Sequence, residues 1–144
     1  MAKTKKIPEK EKKQKQKYYL AVGRRKRSVA RIKLFVGKGE TLVNSEPIEK
    51  YFPGLVAKEL ICKPFNLVEG AGKFYVIAKL VGGGKNSQLG AYLHGVSRAL
   101  CLVEEKYQKI LRKEGLLTRD PREKERRKPG NAGKARKKKQ SPKR

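Results

Sequence analysis

The sequence predicts a small single α+β domain: a three- to four-stranded sheet with helices packed on one face, plus disordered basic N- and C-terminal arms. Three observations lead there. Residues 18–22, 28–36 and 74–81 are short runs of strand-forming residues, bounded by glycines and polar stretches. Residues 87–104 carry apolar side chains at three- and four-residue steps. The two ends cannot join a core. Residues 1–17 hold eight Lys against two Glu, and residues 118–144 hold 13 Lys or Arg against Asp120, Glu123 and Glu125. After Leu117 there is no Val, Ile, Leu, Phe, Tyr or Met, so burial cannot offset the entropy of ordering that segment. The chain therefore divides into 1–17, 18–117 and 118–144.

Each element has its own signal. Tyr18-Tyr19-Leu20-Ala21-Val22 reads as a strand that breaks at Gly23 into Arg24-Arg25-Lys26-Arg27. A second strand follows over 28–36, where Ala30, Ile32, Leu34 and Val36 alternate with Val29, Arg31, Lys33 and Phe35. The two should pair as a hairpin whose loop carries four consecutive cations, with Arg31 and Lys33 extending the charge over the open face. Thr41-Leu42-Val43 is a short third strand. Pro47 opens one helical turn, which Pro53-Gly54 stops. Residues 55–62 form a short helix that Pro64 ends. Residues 74–81 are almost continuously apolar, which marks a central strand. It runs into Gly82-Gly83-Gly84, and Asn86 or Ser87 can cap the helix that follows. In that helix Leu89, Tyr92, Leu93, Val96, Ala99, Leu100 and Val103 form the buried stripe. Tyr107, Ile110 and Leu111 mark a last helix, stopped at Gly115.

The charge narrows the function. The chain carries 39 basic and 13 acidic side chains, a net +26, of which the central hundred residues contribute +10. A basic-faced body with two basic arms fits a polyanion such as RNA or DNA. No run of about 18 apolar residues is present, so no membrane span is expected, and the basic start lacks the apolar segment of a secretory signal. Cys62 and Cys101 read as two buried thiols, without the paired spacing of a metal site. Catalysis finds no support. The sole Asp is Asp120, and neither paired carboxylates nor a Ser, His and Asp constellation appears. No cofactor is expected.

Two local patterns qualify that reading. The glycines at 82–84 fail as a P-loop, because Lys79 stands where the first Gly belongs and Asn86 where the hydroxyl belongs. They still allow either a tight turn or a close phosphate approach, and Lys85, Asn86, Ser87 and Gln88 beside them favour RNA. Gly90 and Gly95 lie inside the helix, each at a cost of about 1 kcal/mol relative to Ala. Another element or a nucleic-acid backbone should therefore pack closely there. His94 and Arg98 are an i, i+4 pair on that helix.

These stretches resemble the universal family of small-subunit ribosomal protein nine. Gly23-Arg24-Arg25-Lys26-Arg27-Ser28-Val29-Ala30-Arg31 is similar to the family's first motif. Gly82-Gly83-Gly84, Ser87-Gln88, Ala91, His94-Gly95 and Ser97-Arg98-Ala99-Leu100 follow its most specific one. Leu117-Thr118-Arg119-Asp120, Arg122, Glu125-Arg126, Lys128, Lys134-Ala135-Arg136 and Lys143-Arg144 resemble its tail. Gln140-Ser141-Pro142 differs from bacterial members, which usually have an aromatic residue near the end.

The resemblance implies a non-enzymatic cytoplasmic ribosome component, seated on the rRNA of the small-subunit head beside other head proteins. Residues expected to contact rRNA are Arg24, Arg25, Lys26, Arg27 and Arg31, with Lys85, Gln88, His94 and Arg98. In the tail they are Arg119, Arg122, Arg126, Arg127, Lys128, Lys134, Arg136, Lys137, Lys138 and Lys139. Lys143 and Arg144 would approach the anticodon stem-loop of the peptidyl-site tRNA. The alternative from composition alone is a free architectural or condensing nucleic-acid-binding protein.

Overall fold

The computed structural model of the chain describes residues 17–131 and 133–136. An antiparallel hairpin pairs β1 (Tyr18–Arg25) with β2 (Ser28–Val36), and β2 pairs antiparallel with β5 (Phe74–Val81). The sheet is completed by β3 (Leu42–Val43), parallel to β5, and β4 (Glu46–Pro47), antiparallel to β3. The order is β1-β2-β5-β3-β4, so the sheet has five strands rather than three or four, with the apolar β5 at its centre. The extra strand is a two-residue edge ending in Pro47, too short for any periodicity to reveal.

The helices are α1 (Ile48–Tyr51), α2 (Leu55–Leu67), α3 (Lys85–Val103) and α4 (Lys106–Lys113). The long α3 lies across β1 and β2, and α2 and α4 pack against α3. Ala30, Ile32, Leu34, Val76, Ala78 and Leu80 face this layer and meet Ala91, Tyr92, Val96, Ala99 and Leu100. Each large aliphatic buried there contributes about 1.5–3 kcal/mol. Tyr92 is fully buried with no hydrogen-bond partner for its hydroxyl among the described residues. Burial pushes that phenol well above its ordinary range, so it stays neutral.

Three features differ from the sequence reading. First, β1 does not break at Gly23 but continues to Arg25, because α3 crosses directly over that glycine. A Cβ on Gly23 would lie 2.0 Å from the Ala91 carbonyl oxygen and 2.3 Å from the Gly95 nitrogen. The turn therefore holds only Lys26 and Arg27, and the four-cation loop becomes a two-cation turn. Second, α2 does not stop before Pro64. It runs to Leu67, and the buried ring of Pro64 packs into the core, which offsets the missing backbone hydrogen bond. Third, the thiols are not both buried: Cys62 is exposed on α2 and Cys101 is half-buried, and both are free. Cys62 lies in the helix one step past the inward-facing Ile61, which turns it towards solvent.

The glycines at 82–84 are a tight junction between β5 and α3. Gly82 and Gly83 have φ of 77° and 60°, and a Cβ on Gly83 would sit 2.2 Å from Ser28 Oγ. In that space the Ser28 hydroxyl donates to Gly82 O at 3.0 Å and lies 2.8 Å from Ser87 Oγ. Ser87 Oγ in turn accepts from the Gly84 N–H at 3.1 Å. The helix is capped by Gly84 rather than by Asn86 or Ser87, and Ser87 reaches back from inside its first turn to hold that start.

Candidate nucleic-acid interface

The sequence places cations along β1, its turn, α3 and the tail; the fold sorts them into two groups. One group is tied into the protein. The Arg25 guanidinium lies against Gly90 and donates from Nη1 to the Asn86 carbonyl at 3.3 Å. Lys85 places its ammonium 3.2 Å from the centroid of the Tyr51 ring and donates to Tyr51 O at 3.3 Å. Gln88 accepts from the Tyr51 hydroxyl at 2.8 Å and donates to Gly82 O at 3.1 Å. Tyr51 therefore organises this corner, and nothing in the sequence distinguishes it from the other tyrosines.

His94 and Arg98 close the outer edge of β1. Arg98 Nη1 donates to Val22 O, and the Arg24 N–H donates to His94 Nδ1 at 3.2 Å. The His94 ring also hydrogen-bonds the backbone of Leu117, which ties the root of the tail to the edge strand. An Nδ1 that accepts a hydrogen bond requires the neutral ring. Burial, with the positive charge of Arg98 and Arg119 nearby, pushes the His94 pKa down and favours that form. Gly95 packs beneath Ile32 and beside Gly23, which accounts for a glycine within a helix. The close neighbour at both helical glycines is another part of the protein.

The second group faces solvent. Lys26 and Arg27 form the β1–β2 turn, and Lys26 takes a left-handed φ of 50°, a conformation that Gly or Asn adopts at lower cost. Together with Lys85, Lys124, Arg126 and Arg127 they line an open cavity of about 720 Å³ beside the first turn of α3, with Glu123 and Glu125 as its acids. Helix starts leave N–H groups without intrahelical acceptors, so dipole and side chains there favour an anion together. The tail returns to this turn through Arg27 and Glu123, 3.8 Å apart.

On the open face of the sheet, Arg31 stands opposite Lys79 across the β2–β5 pair. Like charges in direct register are destabilising unless an anion joins them, and neither makes an ion pair among the described residues. A hollow of about 700 Å³ is lined there by Arg31, Lys33, Lys79, Leu20 and Ile77, among others. Lys79 and Lys124 join the site without having been singled out by sequence reasoning. The signal for Lys79 is a cation interrupting the apolar run of β5.

Arg119, Arg122, Arg126, Arg127, Lys128, Lys134 and Arg136 lie in chain without helix or strand. Arg122 grips Asp120 with two bonds of 2.9 Å, holding that carboxyl far below the usual range. Arg136 pairs with Glu125 in the same way and lowers its pKa too. Backbone bonds link Lys128 with Asn131 and Lys134, and Asn131 with Lys134. Lys137, Lys138, Lys139, Lys143 and Arg144 lie outside the described residues. No group of three or more His, Cys, Asp or Glu that could hold a metal occurs among the described residues, and no described helix is long and apolar enough to cross a membrane.

Comparison with known proteins finds relatives over most of the chain. The family described as ribosomal protein S9/S16 matches residues 23–144. The small ribosomal subunit protein uS9 of Dehalococcoides mccartyi strain BAV1 is 43% identical over 117 residues, covering 81% of this chain and 89% of that protein. Its counterpart in strain CBDB1 gives the same figures. The matched region takes in the hairpin turn, the glycine junction, all of α3 and the tail, and so the chain belongs to the ribosomal protein S9/S16 family.

Proposed function

We propose that this chain, by family a structural and non-enzymatic constituent of the ribosome, seats its body on the rRNA of the small-subunit head. Its contacts there would be the Lys26-Arg27 turn, the Arg31–Lys79 face and the tail. The observation that carries the reading is the convergence of turn, helix start and tail on one cavity lined by six cations, of which Lys85 also rests on the Tyr51 ring. Phosphates can enter it without unfolding anything, and the two acids that line it are outnumbered.

Binding of an rRNA head fragment across a salt series tests this. Replacing Lys26, Arg27, Arg126 and Arg127 with Gln should lower the salt slope by roughly 0.7–0.9 for each phosphate that is no longer neutralised. An unchanged slope would make the cavity a solvated hollow. A free condensing protein, by contrast, would bind any duplex with the same slope and wash off small subunits in moderately high salt.

The tail continues this surface towards the peptidyl site, where Lys143 and Arg144 contact the tRNA anticodon stem-loop. The support is the family resemblance of the tail. Removing residues 141–144 deletes two of its 13 cations, so incorporation into subunits should persist while tRNA binding at the peptidyl site weakens. Equal tRNA affinity for intact and truncated subunits would refute the tip assignment.

A further inference from the structure

One surface departs from the charge pattern of the rest of the chain. Within residues 46–69 four Glu stand against three Lys, in a protein of net charge +26. Two of those lysines are already engaged: Lys58 pairs with Glu49 at 3.4 Å and Lys63 with Glu114 at 3.0 Å. Glu59, on the same helix, has no ion pair among the described residues. The helix in this stretch is α2. Its inner side buries Ile61, Pro64 and Val68, with Ala57 and Phe65 packed against the core. Its outer side carries Leu55 and Val56, 80% and 70% exposed, with Leu60 one turn further on. A shallow groove of about 430 Å³ continues from Leu60, lined also by Glu59, Lys63, Asn66 and Leu67.

Other exposed aliphatics, such as Leu20 and Ile77, lie among cations that make no ion pair among the described residues, where a phosphate backbone can approach. With Lys58 and Lys63 each held by an acid and Glu59 left over, the α2 surface offers a phosphate no net attraction, and three aliphatic groups gain nothing from a polyanion. An apolar patch rimmed by polar groups suits a protein surface instead. We infer that the outer side of α2 is a docking surface for a neighbouring protein of the subunit, one that presents aliphatic side chains flanked by Lys or Arg. The aliphatics would cover Leu55, Val56 and Leu60, and the cation would meet Glu59. This rests on the family reading, which puts the chain in a particle of RNA and other proteins.

A photo-crosslinking residue at Leu55 in assembled small subunits gives the direct test. Crosslinks should run to another ribosomal protein. Crosslinks to RNA alone, to a second copy of this chain, or to nothing overturn the inference. The double substitution Leu55→Asp with Val56→Asp supplies an independent reading. Both sites are exposed and sit in the first helical turn, where Asp is well tolerated, so the fold should survive. Affinity of the free variant for the rRNA head fragment should be unchanged. Its retention on subunits after a salt wash should fall about tenfold, as removal of an apolar interface centre does. Unchanged retention overturns the docking surface. Weakened rRNA affinity would mean that α2 faces RNA, and overturns it equally. The ribosomal role itself fails separately, if the unaltered chain does not enter subunits.

Discussion

The cations of β1 and α3 and those of residues 119–136 carry the same charge, but the protein holds them in opposite ways. Arg98 reaches the edge of β1, Arg25 crosses Gly90, and Lys85 rests on the Tyr51 ring, so each closes a gap in the fold. In the tail, Arg122 and Arg136 pair with acids of the same irregular segment, and Lys124, Arg126 and Arg127 open onto a cavity. Arg25, Lys85 and Arg98 are thus partly architecture, whereas Lys124, Arg126 and Arg127 are available for a ligand. Removing the first kind should cost stability, and removing the second should cost only binding.

The largest effect belongs to the crossing on which the body depends. Gly23→Ala forces a methyl into the backbone of α3, at 2.0 Å from Ala91 O, and no flexible side chain is there to yield. Urea unfolding should show a drop of about 3 kcal/mol or failure to fold. A midpoint within error of the parent would mean that α3 is free to lift from β1. Next is Arg98→Ala, which leaves the Val22 carbonyl at the sheet edge without its charged donor. Stability should fall by about 1–2 kcal/mol, with the rRNA salt slope nearly unchanged. A slope that fell by the value of a whole phosphate would move Arg98 into the RNA-facing group.

His94 sharpens the same contrast through pH. Its pKa is lowered on folding, so the unfolded chain binds the proton more readily. The stabilising contribution is therefore complete above the ordinary value near 6.5, and disappears as pH falls through that value towards the folded one. The unfolding midpoint should drop between about pH 6.5 and 5, and His94→Gln should flatten that drop. The groups facing the ring are Arg24 N–H from β1, Arg98 from its own helix, and Leu117 and Arg119 from the root of the tail. Asp120 and Glu125, whose carboxyls are lowered by their arginines, act only below about pH 4, because a depressed carboxyl gives up its contribution as pH falls through its folded value. A parent midpoint that stayed flat over the range about pH 5–6.5 would dismiss His94 as a clasp on the β1 edge.

Strands β2 and β5, the stripe of α3 and the stop at Gly115 were legible because each repeats a period or uses a residue with one conformational meaning. The extent of β1 was not. Gly23 reads as a break in sequence, yet it serves a crossing by a helix that begins only at Lys85. Pro64 misled for a related reason, since tertiary burial overrode a local rule. In the site, charge located the right regions without distinguishing Lys26 from Lys85. That distinction lies in Tyr51, a residue with no charge at all. The α2 surface was invisible because an exposed Leu is defined only by what fails to cover it.

The smallest effect on folding should come from the tail, and it tests the comparison most stringently. Replacing Arg126, Arg127 and Lys128 with Gln removes three exposed cations that make no ion pair among the described residues. Stability should move by less than about 0.5 kcal/mol, the usual range for surface changes away from packing or caps. If all three side chains neutralise phosphates, the salt slope of rRNA binding should nevertheless fall by roughly 2–2.7. Lys85→Gln should invert that result. The cation over Tyr51 and its hydrogen bond vanish, so stability falls by about 1 kcal/mol while the slope changes by less than the value of one phosphate. Measuring both quantities on both variants separates the two kinds of cation. If Lys85 shifted the slope as strongly as a tail residue, the lysine would leave Tyr51 when RNA arrives, and the corner would be a ligand site held closed by its own aromatic ring.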